Sequence, residues 1–382
     1  MTALVTDRPS TMTPAQRIRA ALNCQPVDRV PVSPDCSMMM PARYSGRPFW
    51  DVFLNETPPL WKARIDLARC FGFDLTFGCN GVEGDAPGVS GETDILERGE
   101  DAWVVRESTH TLHGDLVRIM QYPRDKSPWT LKPIITDPER EIDALLSTLE
   151  DPATCRLASW YPDLQQELGD IGCVFGIMSV PLAWWLYQRV NLEQGLMDFY
   201  DRTPLIERAL TAYGEWALAW LDTQIRVQRP DFFMFGGSVS SMSVASPTLY
   251  RRYAYPWLKK ACEIVSSHNI PSAVHMCGKC RAALDMLVDA GVTMIEPLES
   301  PPSGDVMLAD VRQRYGPNLV LKGNVNTFST LAQGTPDTVI QEAQQCIRDA
   351  GELGFILSTG DQVSSDTPEE NFWALICAVK ES

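Results

Sequence analysis

Eight short apolar segments, separated by stretches of helical periodicity, constrain this chain more than any other feature of its sequence. They cover residues 29–34 (RVPVSP), 73–78 (FDLTFG), 173–179 (CVFGIMS), 231–236 (DFFMFG), 272–277 (SAVHMC), 292–297 (VTMIEP), 319–324 (LVLKGN) and 355–360 (FILSTG). Runs this short and this apolar fit strands buried on both faces, as in a parallel sheet. Helical patterns fall at 15–22, 204–228, 247–268, 281–290, 335–350 and 367–380, several of them with proline in the first turn. Eight strand–helix units point to an α/β fold of the (β/α)8 TIM-barrel kind rather than a doubly wound sheet. The reading is of one barrel domain over residues 1–382. One stretch breaks the rhythm: 88–122 alternates apolar and polar residues, which predicts a β-hairpin insertion over one barrel mouth. Residues 1–11 are expected to be disordered.

Charge and cysteine usage exclude several function classes. A formal net charge of −16 argues against a nucleic-acid surface and against an anionic membrane surface, since both need clustered cations. Eleven cysteines show no framework spacing, so they read as reduced thiols of a cytoplasmic protein. Residues 1–17 are polar, without the apolar core of a signal peptide. No apolar run reaches the roughly 20 residues of a membrane helix.

The chemistry gathers at the C-terminal ends of the later segments, where barrels of this kind keep their active sites. His275-Met276-Cys277-Gly278 closes the fifth segment. Residues i and i+2 of a strand face the same way, so His275 and Cys277 can converge, and imidazole and thiolate are natural Zn²⁺ ligands. A packed histidine beside a buried cysteine is the alternative for so short a motif. The neighbouring ends are also polar: Glu296 and Glu299 after the sixth, Asn324 and Asn326 after the seventh, Ser358, Thr359 and Asp361 after the eighth. One shared site explains four polar ends better than four separate packing reasons. Trp184, Trp185 and Tyr187 offer aromatic surface for a substrate pocket or for the core. His110 and His113 fall in the hairpin stretch and read as surface residues, and His268 ends a helix, where a cation is favourable. No glycine-rich nucleotide loop and no D-x-H-x-x-G corrinoid motif occurs.

These segments together resemble the uroporphyrinogen decarboxylase-like superfamily. The similarity lies in PTLY at 247–250, YPWLKK at 255–260, HMCG at 275–278, GNVNT at 323–327, LSTGDQVSSDTPEEN at 357–371 and the opening 14–32. The resemblance implies the barrel. It also divides between a porphyrin-decarboxylating and a corrinoid-dependent methyltransferase branch. The decarboxylase branch uses two arginines four apart, where residues 38–44 (MMMPARY) offer only Arg43. Its early aspartate falls near Cys79-Asn80, and its late histidine is missing from the closing segment. Tyr187, six residues after Pro181, is retained.

The methyltransferase branch binds zinc through His-x-Cys and a late cysteine. His275 and Cys277 match, and the third position falls at Asp361, a competent zinc ligand. Cys280, Glu296 and Glu299 stand as alternative ligands. Substrate-binding roles are expected for Asn324, Glu296, Tyr187 and Trp185. The resemblance thus implies a Zn²⁺ enzyme that moves a methyl group between a small methyl ether, amine or thiol and cobalamin carried by a separate corrinoid protein. A homodimer is a further expectation of the family. A decarboxylase of a smaller acid, clamped by Arg43 with Arg106 or Arg118, and a non-catalytic corrinoid-protein-binding barrel are the alternatives.

Overall fold

The computed structural model describes residues 11–189 and 191–379. Residues 1–10, which hold most of the N-terminal stretch expected to be disordered, lie outside the described residues, as does Lys380 at the end of the last expected helix. Seven parallel strands form one curled sheet in sequence order: β1 Leu75–Gly78, β2 Gly172–Met178, β3 Phe232–Gly236, β4 Ser272–His275, β5 Met294–Glu296, β6 Val320–Val325 and β7 Phe355–Thr359. Each falls inside or within a residue of the segment expected for it.

The eighth expected strand, 29–34, closes the ring without becoming a regular strand. Val32 bridges Leu357 on β7, the Ser33 N–H donates to the Leu357 carbonyl at 2.8 Å, and the Asp74 N–H donates to the Val32 carbonyl at 2.8 Å. Pro31 and Pro34 lack N–H groups, so this segment cannot carry a full ladder. Its backbone still links β7 to the start of β1, and the sheet curls into a (β/α)8-type barrel.

Residue parity along the strands sorts the interior. Cys173, Phe175, Phe232, Met234, Ala273, Met294, Val320 and Ile356 form one buried cluster with Ala15, Ile18, Ala21 and Leu22 of the helix Pro14–Leu22. Those strand residues point into the barrel, and the N-terminal helix plugs its floor. The other parity, including Val174, Phe233, Val274, Ile295, Leu321 and Leu357, packs outward against the surrounding helices. Burial of this apolar surface, at roughly 25 cal/mol per Å², is what makes the lower barrel a scaffold.

Two departures from the expected elements have local causes. The expected helix 247–268 is two helices, Pro247–Tyr253 and Tyr255–Ser267, because Pro256 has no N–H for the turn before it. The alternating stretch is a four-stranded antiparallel sheet, Ser90–Arg98, Ala102–Thr111, Gly114–Pro123 and Trp129–Lys132, so it runs past residue 122. It packs Val105 and Tyr122 on Trp50, with Trp103 stacked on Trp50 at 5.2 Å between ring centroids. The loop between its third and fourth strands meets the loop after β7, where Ser365 Oγ donates to the Asp125 carbonyl at 3.4 Å.

Candidate metal centre

The same parity that fills the barrel floor with apolar side chains sets polar ones above it. Two residues beyond Ala273, Met294 and Val320 come His275, Glu296 and Lys322. All three line a cavity of about 440 Å³ at the C-terminal ends of the strands. Its wall includes Asp35, Arg64, Phe175, Ile177, Tyr187 and Asp361. Glu296 and Lys322 are buried, and the His275 side chain is one-fifth exposed.

His275, Cys277 and Asp361 each offer one ligand atom, and these atoms lie within 4.8 Å of one another. Among the described residues no other group of three or more His, Cys, Asp or Glu side chains meets that criterion. Ligand atoms on one tetrahedral Zn²⁺, at about 2.0–2.3 Å each, stand roughly 3.5 Å apart, so small side-chain adjustments close the set. Met276, between the two ligands, is fully buried, and its N–H donates to the Glu296 carbonyl at 2.8 Å. That bond carries the β4–β5 pairing one residue beyond the strand and fixes the backbone between His275 and Cys277.

A buried relay orients the imidazole. His275 Nδ1 is 3.0 Å from Glu296 Oε1, and Lys322 Nζ donates to Glu296 Oε2. With Nδ1 engaged, Nε2 is the nitrogen left for a metal, the usual carboxylate–histidine arrangement of metal sites. Burial opposes charge on His275, but hydrogen bonds to Cys277 and Glu296 outweigh it and hold its pKa well above the ordinary value. Burial likewise opposes charge on Glu296, and Lys322 with His275 holds its carboxyl far below the usual range.

Asp361 is fixed through its backbone. Its N–H donates to Thr327 Oγ1 at 3.0 Å, and its carbonyl accepts from Thr359 Oγ1 at 2.7 Å. Its Oδ1 accepts the Gln362 N–H at 2.8 Å. Burial pushes its pKa up, and Asp35 and Glu296 add to the rise. A carboxylate, a thiol and an imidazole nitrogen converging among further carboxylates form a donor set suited to a divalent cation. The residues present therefore fit zinc.

The other expected site residues divide. Tyr187 lies at the cavity, half-exposed, and its hydroxyl would stand 2.8 Å from a Cβ at Gly237, just beyond β3. Trp185 is fully buried in the core and does not line the cavity, which corrects its substrate-binding role. On the helix Pro181–Gln188 it turns inward, while Tyr187 faces out. Asn324 is also withdrawn: Nδ2 donates to the Leu298 carbonyl at 2.5 Å and Oδ1 accepts from Cys346 Sγ at 3.3 Å. The cause is Gly323, whose φ of +145° breaks strand parity, and where a Cβ would meet the Pro297 carbonyl oxygen at 2.0 Å.

Glu296 has both oxygens occupied within the relay. Glu299 Oε1 accepts the Gly278 N–H at 2.5 Å, which steadies the turn after Cys277. Cys280 is fully buried and outside the converging group. The arginine clamp imagined for a small acid does not assemble at the cavity. Arg43 donates to the Thr367 carbonyl at 2.9 Å, Arg106 pairs with Asp94 at 2.7 Å, and Arg118 pairs with Glu107. Lys322, Asp35 and Arg64 went unnoticed in the sequence. For Lys322 the signal was present: a lysine inside the apolar run LVLKGN, in step with inward-facing Val320.

The parallel barrel brings His275, Cys277 and Asp361 together at its C-terminal mouth, a donor set that could hold a metal ion. Residues 120–382 match the family described as Uroporphyrinogen decarboxylase (URO-D), and the chain belongs to that family. The methylcobamide:CoM methyltransferase MtbA of Methanosarcina mazei is 23% identical, over 96% of this chain and 97% of that one. MtaA of Methanosarcina barkeri is 28% identical over 46% of this chain, a match that spans 49%, about half, of that relative. The uroporphyrinogen decarboxylase of Trichodesmium erythraeum is 24% identical over 63% of this chain and 67% of that one. A solved methyltransferase from Methanosarcina mazei shares the fold, with a TM-score of 0.66 at 20% identity, covering 96% of this chain and 98% of that one. No helix among the described residues is long and apolar enough to cross a membrane.

Proposed function

We propose that this chain is a zinc-dependent methyltransferase. In this reading a methyl group passes between a small methylated molecule, of ether, amine or thiol type, and the cobalt of a corrinoid held by a separate protein. The observation that carries the reading is the convergence of the His275, Cys277 and Asp361 ligand atoms within 4.8 Å. The methylcobamide:CoM methyltransferase that aligns along nearly the whole chain supports the methyl-transfer class. His275, Cys277 and Asp361 would hold the zinc, which when bound supplies a Lewis acid for the heteroatom that gives up or accepts the methyl group. Glu296 and Lys322 position the imidazole, and Tyr187 bounds the substrate space. Metal analysis of the purified chain tests the reading. The expected result is about one zinc per chain. Trace zinc that does not rise after zinc is added would overturn it.

Asp361 also sets a direction for the chemistry. A carboxylate donates less charge to zinc than a thiolate, so a His/Cys/Asp set leaves the metal more electrophilic. Asp361→Ala is expected to weaken zinc binding by at least about tenfold, read by competition with a chelator. Asp361→Cys is expected to keep zinc while depressing ether or amine demethylation more than thiol methylation. Wild-type zinc content and turnover in Asp361→Ala would remove Asp361 from the ligand set.

The pH dependence has a definite sign. The raised pKa of His275 gives the metal-free protein stability that is full below the unfolded value of about 6.5. That stability is lost as pH rises through the folded value. Zinc must displace the same proton, so its affinity should climb with pH over that window. Melting temperatures of chelator-treated and zinc-loaded protein should therefore diverge as pH increases. Parallel curves would exclude His275 as a ligand.

A decarboxylase of a small acid is favoured only by one observation, the presence of Arg64 in the cavity wall. Release of CO₂ from a carboxylated substrate, with no corrinoid protein present, would establish it instead.

A further inference from the structure

Asp361 lies just past the end of regular strand pairing. β6 and β7 run in register as far as Val325 and Thr359, and the Gly360 N–H still reaches the Val325 carbonyl at 2.8 Å. There β6 stops, and the chain winds into a short helix, Thr327–Ala332. A side chain takes over where the ladder ends. Thr327 Oγ1 accepts the Asp361 N–H at 3.0 Å and donates to the Asp361 carbonyl at 3.2 Å. Thr359 Oγ1 donates to the same carbonyl at 2.7 Å. Both threonines are buried.

Thr327 is itself held from behind. Asn326 caps the short helix, its Oδ1 accepting the N–H groups of Phe328 and Ser329 at 3.0 and 2.8 Å. The Asn326 N–H donates to Glu342, on the helix Pro336–Ala350, at 2.7 Å. At the other end Leu331 is fully buried, and Asn371 Nδ2 donates to the carbonyls of Leu331 and Gly334 at 3.0 and 2.8 Å. A β-branched side chain on so anchored a backbone has little rotamer freedom. Its hydroxyl engages both main-chain polar groups of Asp361, and so restrains the peptide planes on either side of that residue's Cα. The direction of the Cα–Cβ bond follows from those two planes. Beyond it the carboxylate turns only about its own χ angles, and the Gln362 N–H on Oδ1 at 2.8 Å limits those.

We infer that Thr327 is a positioning residue for metal binding, its hydroxyl fixing the direction from which the Asp361 carboxylate reaches His275 and Cys277. The inference rests on the reading of Asp361 as a ligand. The same device serves the other two ligands in backbone form, where the Met276 N–H on the Glu296 carbonyl extends the β4–β5 pairing past the strand end. At Asp361 the neighbouring strand has already turned away into a helix, so a hydroxyl stands in for the missing carbonyl. Without it the Asp361 N–H is left unpaired beside a buried wall, and the loop relaxes to satisfy it.

Zinc affinity, read by competition with a chelator, tests this on a set of variants. Thr327→Val keeps the side-chain shape and removes the hydroxyl, and should weaken zinc binding by about tenfold. Thr327→Ser restores the hydroxyl and should recover most of that loss. In an Asp361→Ala background Thr327→Val should cost no further affinity, because the threonine acts through the carboxylate. The visible spectrum of the cobalt(II)-loaded chain supplies a second readout: Thr327→Val should shift it toward the spectrum of Asp361→Ala. A threonine that only packs the barrel would lower affinity equally in both backgrounds and leave the cobalt spectrum as in the wild type, and either result overturns the inference. One arm needs no variant to fold. In the metal-free wild type the Asp361 amide should exchange its hydrogen on the order of a hundredfold more slowly than an open loop amide. Exchange at the open rate would also overturn the inference. Zinc affinity that responds to Asp361→Ala but not to Thr327→Val defeats this inference alone, whereas a wild-type chain that binds no zinc defeats the proposed function with it.

Discussion

Replacing His275 by alanine, or Cys277 by serine, is expected to strip the chain of zinc and abolish methyl transfer while leaving the barrel folded. Both residues sit in the polar layer above the buried floor formed by Ala273, Met294, Val320 and Ile356. Neither contributes to that floor, so the apolar packing that holds the strands survives. Losing the Lewis acid removes several kcal/mol of transition-state stabilisation, and about 3 kcal/mol is already more than a hundredfold in rate. Cys277→Ser nearly conserves volume and removes the thiolate alone. His275→Ala also frees Glu296 Oε1 from its imidazole partner but leaves Lys322 on Oε2. Zinc content, circular dichroism and the melting temperature, measured side by side, separate site from scaffold. A Cys277→Ser protein with full zinc and full turnover would falsify the ligand assignment.

The barrel was readable because its strands are short, apolar and closed by turn residues, and the seven regular strands lie where those runs predict. The segment 29–34 was read as a strand from the same pattern. Its two prolines, which remove ladder donors, explain why it pairs at a single bridge. The members of the converging group were legible as candidates, His275 and Cys277 from spacing and Asp361 from family position. What the sequence concealed was direction. Trp185 and Tyr187 are two apart on one helix, and only burial separates the packed ring from the cavity residue. Asn324 shares strand parity with Lys322, yet Gly323 turns it away from the interior. Arg64 lies far from the motif in sequence and enters the cavity from a helix before β1, so no local pattern marks it.

Lys322→Met is expected to cost both stability and metal affinity, for reasons that can be told apart. Lys322 is almost completely buried, and its ammonium group is the counter-charge of Glu296. Methionine fills much of the space but leaves a buried carboxylate without its cation, a loss of roughly 3–5 kcal/mol when one member of a buried pair is removed. Glu296, now freed from the charge that depresses its pKa, takes up a proton at higher pH. A neutral Glu296 no longer strengthens the basicity of His275, and outer partners of metal ligands typically contribute about 10–100-fold in metal affinity. The double variant Lys322→Met/Glu296→Gln removes the stranded charge. It should regain most of the lost stability, read by denaturant midpoint, but not the lost zinc affinity. A lysine that served packing alone would show recovery of both together, or no loss of zinc affinity in the single variant. Divergence of the two readouts assigns Lys322 as the residue that, through Glu296, holds His275 in its metal-binding state.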